Sequence, residues 1–171
     1  MDAPFRRVIT GHSPSGKAVI AHDDTLKPVH YRKPDEAPTG KAFGLTLLFR
    51  TEGSSEAAIS NNVPFNDPYK TSIPIAEPGH TNWRIIDFPP HSSAPMHRTT
   101  SVDFGVVLKG EVVLEVDDGV ETVLKEQTGV VQRGTIHAWH NRTDEVSRML
   151  FVVLPSDEVK VNGEVLGDVD V

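Results

Sequence analysis

Eight histidines punctuate this chain, at positions 12, 22, 30, 80, 91, 97, 137 and 140. Four of them fall between residues 91 and 140, where short β-rich runs crowd together. Imidazoles and carboxylates are the side chains that bind divalent metals and move protons near neutral pH, so the first question is which of them share a face. In an extended chain, side chains at i, i+2 and i+4 point the same way. In PMHRTTSVDFG this places His97, Thr99 and Asp103 together; in HAWHN it places His137, Trp139 and Asn141 together and turns His140 away. On these residues alone two readings stay open for each. His97 and His137 are metal ligands or buried, hydrogen-bonded histidines. Asp103 is a ligand or the ion-pair partner of Arg98 or Lys109. Thr99 is a working hydroxyl or interior filler, and Trp139 a pocket wall or core. His91, in PPHSSAP, reads as an exposed loop residue, and His12, His22, His30 and His80 have no evident partners.

The elements that must position these residues are strands. From residue 82 onward come NWRIIDF, SVDFGVVLK, EVVLEV, ETVL, VVQR, HAWHN and SRMLFVVL, broken at Gly110, DDG (117–119), QTG (127–129), Gly134 and RTDE. Asp118-Gly119 between two β-rich runs predicts a hairpin, and Gly110 a turn. Many short strands with turns at near-regular spacing predict a sandwich or barrel, which removes exposed edges. Upstream, RRVIT (6–10) and AVIAH (18–22) flank GHSPSGK and predict an opening hairpin. Residues 28–40 carry three prolines and read as a connector; AFGLTLLFR (42–50) reads as a buried strand, and 51–80 as mostly loop. No amphipathic helix of three turns is evident.

With 171 residues the chain suits one domain, 1–171, with its barrel core at about 82–155 and a covering segment at 1–81. A net charge of −7 and the absence of any basic run argue against nucleic acid. There are no cysteines, which excludes disulfides and thiolate metal sites. No apolar run reaches the ~18–20 residues of a membrane-spanning helix, and the opening MDAPFRRVITGH lacks a signal-type apolar core, so a cytoplasmic location is expected.

The spacing of the site residues resembles the cupin superfamily. Its first motif is matched by Pro95, His97 and Gly110, with Thr99 where a second histidine is usual and Asp103 where a glutamate is usual; its second is matched by Gly134, His137 and Asn141, with Gln132 in place of a proline. The resemblance spans about residues 82–155. It is strongest to small single-domain cupins of fungal and bacterial small-molecule and polyketide pathways, whose opening hairpin is similar to RRVITGH…GKAVI. It implies an all-β double-stranded β-helix, or jelly-roll barrel, with an N-terminal hairpin and long loops. It also implies that His97 and Asp103 meet His137 around one divalent transition metal (iron, manganese, nickel, cobalt or zinc).

Two imidazoles and a carboxylate leave coordination positions open for substrate. The function expected from this is a metal-dependent, non-oxidative lyase step, decarboxylation or dehydration, on a small organic acid or polyketide-like substrate. Asp103 and Thr99 would serve at the reacting centre and Trp139, Asn141 and Val107 against the substrate. A non-haem iron dioxygenase and a metal-free binding cupin are the alternatives. The expected partners are a small-molecule substrate and a second copy of the chain, with neither nucleic acid nor membrane. Sedimentation velocity at tens of micromolar, well above the Kd of a stable dimer at roughly micromolar or tighter, is expected to give the mass of two chains; a monomer there contradicts the homodimer.

Overall fold

The computed structural model describes residues 3–51, 67–72 and 74–166. Most of the expected 51–80 loop, residues 52–66 together with residue 73, therefore lies outside the described residues. The strands are β1 (Phe5–His12), β2 (Ala18–Leu26), β3 (Val29–His30), β4 (Gly44–Arg50), β5 (Asn82–Phe88), β6 (Ser92–Ser93) and β7 (Ser101–Lys109). They continue with β8 (Glu111–Glu115), β9 (Glu121–Lys125), β10 (Gly129–Arg133), β11 (Ala138–Asn141), β12 (Ser147–Pro155), β13 (Val159–Val161) and β14 (Glu164–Leu166). Every pairing between them is antiparallel.

Two sheets face one another. One has six strands in the order β10-β7-β12-β5-β4-β3, the other four in the order β6-β11-β8-β9. The alternation seen in the sequence decides what lies between them. Along β7, Ser101, Asp103, Gly105 and Val107 are buried, and along β12 so are Ser147, Met149, Phe151 and Val153. Gly105 pairs with Phe151 and Val107 with Met149. The interior is closed from the other sheet by Val112, Leu124 and Trp139. This is the jelly-roll arrangement expected from the train of short strands.

Two turns follow from their residues. Gly110, at φ 73°, carries the chain from β7 in one sheet to β8 in the other, and a Cβ there would stand 2.8 Å from the Ser147 hydroxyl. Asp118 and Gly119, at φ 61° and 68°, close the β8–β9 hairpin with the Val120 N–H on the Asp117 carbonyl, as an Asp-Gly pair favours.

The first 81 residues do more than cover. β4 is an integral strand of the large sheet, with Leu45 in the main core and β3 at its edge. Leu48, of opposite parity to Leu45, lies on the outer face at a bulge between Leu47 and Phe49, where it meets Leu26 and Ile85 in a second apolar cluster beneath the base of the opening hairpin. β5 is consequently buried on both faces.

Arg7 of β1 is 1% exposed and fastens this hairpin to the barrel. It donates to Asp24 and Asp67 and to the Leu48 carbonyl. Both aspartates remain partly exposed, at 37% and 43%, so solvent screens the pairs and the full buried-pair value is discounted. Arg7→Ala is expected to lower the unfolding free energy by about 2 kcal/mol in urea titrations with the barrel retained, and a loss under about 0.5 kcal/mol would contradict a fastening role.

Candidate metal and substrate site

His97 and His137 stand opposite each other in an isolated antiparallel bridge outside the regular strands. Each backbone N–H donates to the other's carbonyl at 2.9 Å, and the ring centroids lie 4.3 Å apart, tilted by 48°. One residue is inserted on the His97 side. Ser93 pairs with His140 and the Ala94 N–H reaches the Trp139 carbonyl, yet the next partner of His137 is His97 rather than residue 96. Pro95 and Met96 therefore stand opposite Ala138 alone, and a bulge is the natural outcome beside Pro95, which has no N–H to offer a ladder. Its carbonyl, freed from pairing, accepts from His97 Nδ1 at 3.0 Å.

His137 is braced in a parallel way. Its Nδ1 donates to the Thr135 carbonyl at 2.9 Å. The Gln132 amide lies beside it with its own N–H groups directed at the Thr135 carbonyl and hydroxyl, 2.6 and 3.2 Å away. In both histidines the Nδ1 proton is thus held by a backbone carbonyl and Nε2 is the nitrogen left over. Burial pulls the His137 imidazole down to about 4, the positive field of His97 adding to this and the Thr135 carbonyl opposing it.

Asp103 lies on β7 between Gln132 of β10 and Val153 of β12, 6% exposed, with Oδ1 buried and unpartnered. Burial pushes its carboxyl above the usual carboxylate range, against the downward influence of the Ser101 hydroxyl and the charges of Arg84 and His97.

His97, Asp103 and His137 line one cavity of about 260 Å³, with Arg84 and Arg32 the other charged groups on its wall. The rest of the lining is apolar, chiefly Tyr31, Phe43, Ile86, Phe88, Trp139 and Phe151. The aromatic rings meet edge to face, His137 on Trp139 at 5.4 Å, Trp139 on Phe151 at 5.6 Å and Phe43 on Phe88 at 5.6 Å. The donor set suits a divalent metal in kind: two imidazoles with Nδ1 already engaged, and a buried carboxylate oxygen with no partner.

The trio does not draw its ligand atoms within 4.8 Å of one another. Among the described residues the group that does is Glu115, Glu121 and His140, on the outer face of the four-stranded sheet. There the carboxylates are already engaged by protein: His140 Nε2 meets Glu115 at 2.8 Å and Arg142 grips Glu121 with both nitrogens. His140 faces outward, as its parity requires.

The remaining expected residues fall elsewhere. Thr99 does not line the cavity. The Ser101 N–H turns back onto the Thr99 carbonyl at 2.9 Å, breaking the extended run just before β7, and the Thr99 hydroxyl pairs with that of Ser101 at 2.8 Å. Asn141 is 1% exposed and fully engaged: its amide donates to the Phe88 and Glu145 carbonyls, and its oxygen accepts from the Thr143 N–H and hydroxyl. It ties down a turn rather than facing a substrate. Val107 is core. His91 is exposed and pairs with Asp144. Trp139 and, from the 149–154 run, Phe151 are cavity walls. The residue that pattern reading passed over is Arg84, in a strand buried on both faces where no alternation marks an interior arginine.

Residues 84–153 match the cupin domain family model (Cupin_2). The chain is 35% identical to "Phomopsin biosynthesis cluster protein C'" of Diaporthe leptostromiformis, over 95% of this chain and 85% of that one. It is 30% identical to the "cupin-domain-containing oxidoreductase fogC" of Aspergillus ruber, over 92% and 76% of the two chains. Its fold is also that of a putative ethanolamine utilization protein Q from Salmonella typhimurium, with a TM-score of 0.52 at 14% identity over 91% of this chain and 99% of that one.

In metal-free protein, the His137 ring is expected to stay neutral from about pH 7 to about pH 5, where an ordinary imidazole is mostly protonated. Nitrogen-detected NMR titration reads this directly, and a midpoint near the ordinary value of 6.5 contradicts the burial of the ring.

Proposed function

The chain belongs to the cupin domain family, and we propose that it is a metal-dependent enzyme of small-molecule biosynthesis that carries out a non-oxidative lyase step, decarboxylation or dehydration. The observation that supports this most is the pairing of His97 and His137 across one bridge, both with Nδ1 on a backbone carbonyl, beside the unpartnered Oδ1 of Asp103 in a single cavity. In this reading His97, His137 and Asp103 hold the metal. A divalent cation supplies a Lewis acid that favours negative charge developing on a substrate oxygen. The residues around it do the rest. Pro95 and Thr135 carbonyls keep each imidazole in one tautomer and orientation, and Gln132 braces the Thr135 turn. Trp139, Phe151 and Phe43 exclude water and confine the substrate's body.

The choice of a lyase step rests on economy. A cavity of about 260 Å³ holds one small molecule, and loss of carbon dioxide or water needs no co-substrate beside it. The cluster context of the relatives agrees with small-molecule tailoring. A second reading, a non-haem iron dioxygenase, draws support from the Aspergillus ruber relative, a cupin-domain-containing oxidoreductase. The two differ in oxygen demand.

His97→Ala and His137→Ala are each expected to weaken metal binding at least about tenfold, since loss of even an outer-shell partner costs that much, with the β-sheet circular dichroism unchanged. Full metal occupancy in both variants, by elemental analysis, overturns the site. Metal-loaded protein is then incubated with β-keto acids and β-hydroxy ketones under strict anaerobiosis. Turnover that persists there supports the lyase; turnover that stops, and returns with oxygen consumed in proportion to product, moves the assignment to the oxidoreductase.

A further inference from the structure

Arg84 is 5% exposed, lines the cavity, and is not used by the metal site. It projects from the middle of β5, where its strand neighbours are Phe151 on one side and Leu47 on the other, so neither flank offers an acceptor. Its Nε is buried without a hydrogen-bond partner, and among the described residues the side chain forms no ion pair. The carboxylate that shares the cavity, Asp103, has its own orphaned oxygen and does not close a bond with it. A guanidinium does not shed its charge, and holding one buried and unpaired is costly unless something else completes it.

We propose that Arg84 is the anchor for a carboxylate on the ligand, and that the cavity therefore selects monocarboxylates with an apolar, ring-bearing body. The planar fork of an arginine matches a carboxylate with two parallel hydrogen bonds, which a neutral amide of the same shape does not reproduce. The body of the ligand lies where Tyr31, Phe43, Phe88, Trp139 and Phe151 supply aromatic wall. This deepens the proposed function only in taking the same cavity as the ligand site. It assigns the acid's negative group to Arg84 and leaves the substrate's carbonyl or hydroxyl oxygen to the metal side. A carboxylate read this way is distinguished from isosteric neutral compounds, because an unfilled guanidinium stays buried beside the neutral one.

The test uses full-length protein and two probes of nearly equal shape, cinnamic acid and cinnamamide, titrated calorimetrically at neutral pH after chelator treatment to remove metal. Wild type is expected to bind the acid at least about tenfold tighter than the amide, as for a charge-assisted pair in a dry site. Arg84→Met is expected to abolish this preference, and Arg84→Lys to keep part of it. Equal affinity for the two probes on wild type overturns the proposal, and no measurable binding of either counts as equality. So does an acid preference that survives in Arg84→Met. Should Arg84→Met fail to fold by circular dichroism, the wild-type comparison and Arg84→Lys still decide. An acid preference seen only in metal-loaded protein and indifferent to Arg84 defeats this inference while leaving the metal reading intact. Conversely, retention of metal by the histidine variants defeats that reading and does not alter the metal-free probe comparison.

Discussion

The functional side of this barrel hangs on one reciprocal pair of backbone hydrogen bonds, between His97 and His137. Neither residue lies in a regular strand. Each belongs to a connecting segment, and the bridge holds the two segments to one another so that both rings enter the same cavity. The bulge at Pro95 makes this geometry available. Without the extra residue, the pairing that runs from Ser92 and Asn141 through Ala94 and Trp139 would bring residue 96, not His97, opposite His137. The same proline releases the carbonyl that orients the His97 ring. A residue without an N–H thus lies within the bulge and also holds the ring at one half of the site.

Around that bridge the barrel tolerates polar groups that a purely structural core would reject. Asp103 and Arg84 each carry a buried atom with no hydrogen-bond partner, in a cavity otherwise walled by aromatic rings. Unsatisfied buried groups are rare in native proteins because each one opposes folding. Here they face the same empty volume from β7 and β5. The outer face of the large sheet is treated differently: Arg7 and Arg148 are each matched by aspartates there, and the second apolar cluster lies alongside. The contrast sets the matched arginines of the outer face apart from the two unmatched groups at the cavity.

Much of this was legible from the chain alone. The strand train, the Asp118-Gly119 hairpin and the inward parity of His97, Asp103, His137 and Trp139 all follow from a period of two and from turn chemistry. Three things did not. Strand order is not encoded in local pattern, so β4, read as a buried strand, could not be placed between β5 and β3 in the large sheet. Thr99 shares parity with His97, but parity holds only while the chain stays extended, and the Ser101 to Thr99 hydrogen bond ends it. Arg84 was hidden because β5 is buried on both faces; its run of mostly buried residues lacks the alternation that would have marked an interior arginine. Asn141, read from its motif position as a substrate contact, shows that a recurring residue at a site can be there to hold a turn.

Gly105 contributes no side chain, yet it sets how deep one wall of the cavity lies. A Cβ at that position would come within 2.9 Å of both the Phe151 ring and a Val130 methyl. Phe151 therefore lies back into a dent in β7, and the ring that borders the cavity is recessed by the depth of one missing methyl group. The width of the chamber and the identity of its polar groups are, as a result, separately adjustable. Substitution at one strand position that never meets the ligand can tighten the space, while the histidines, the aspartate and the arginine keep their places.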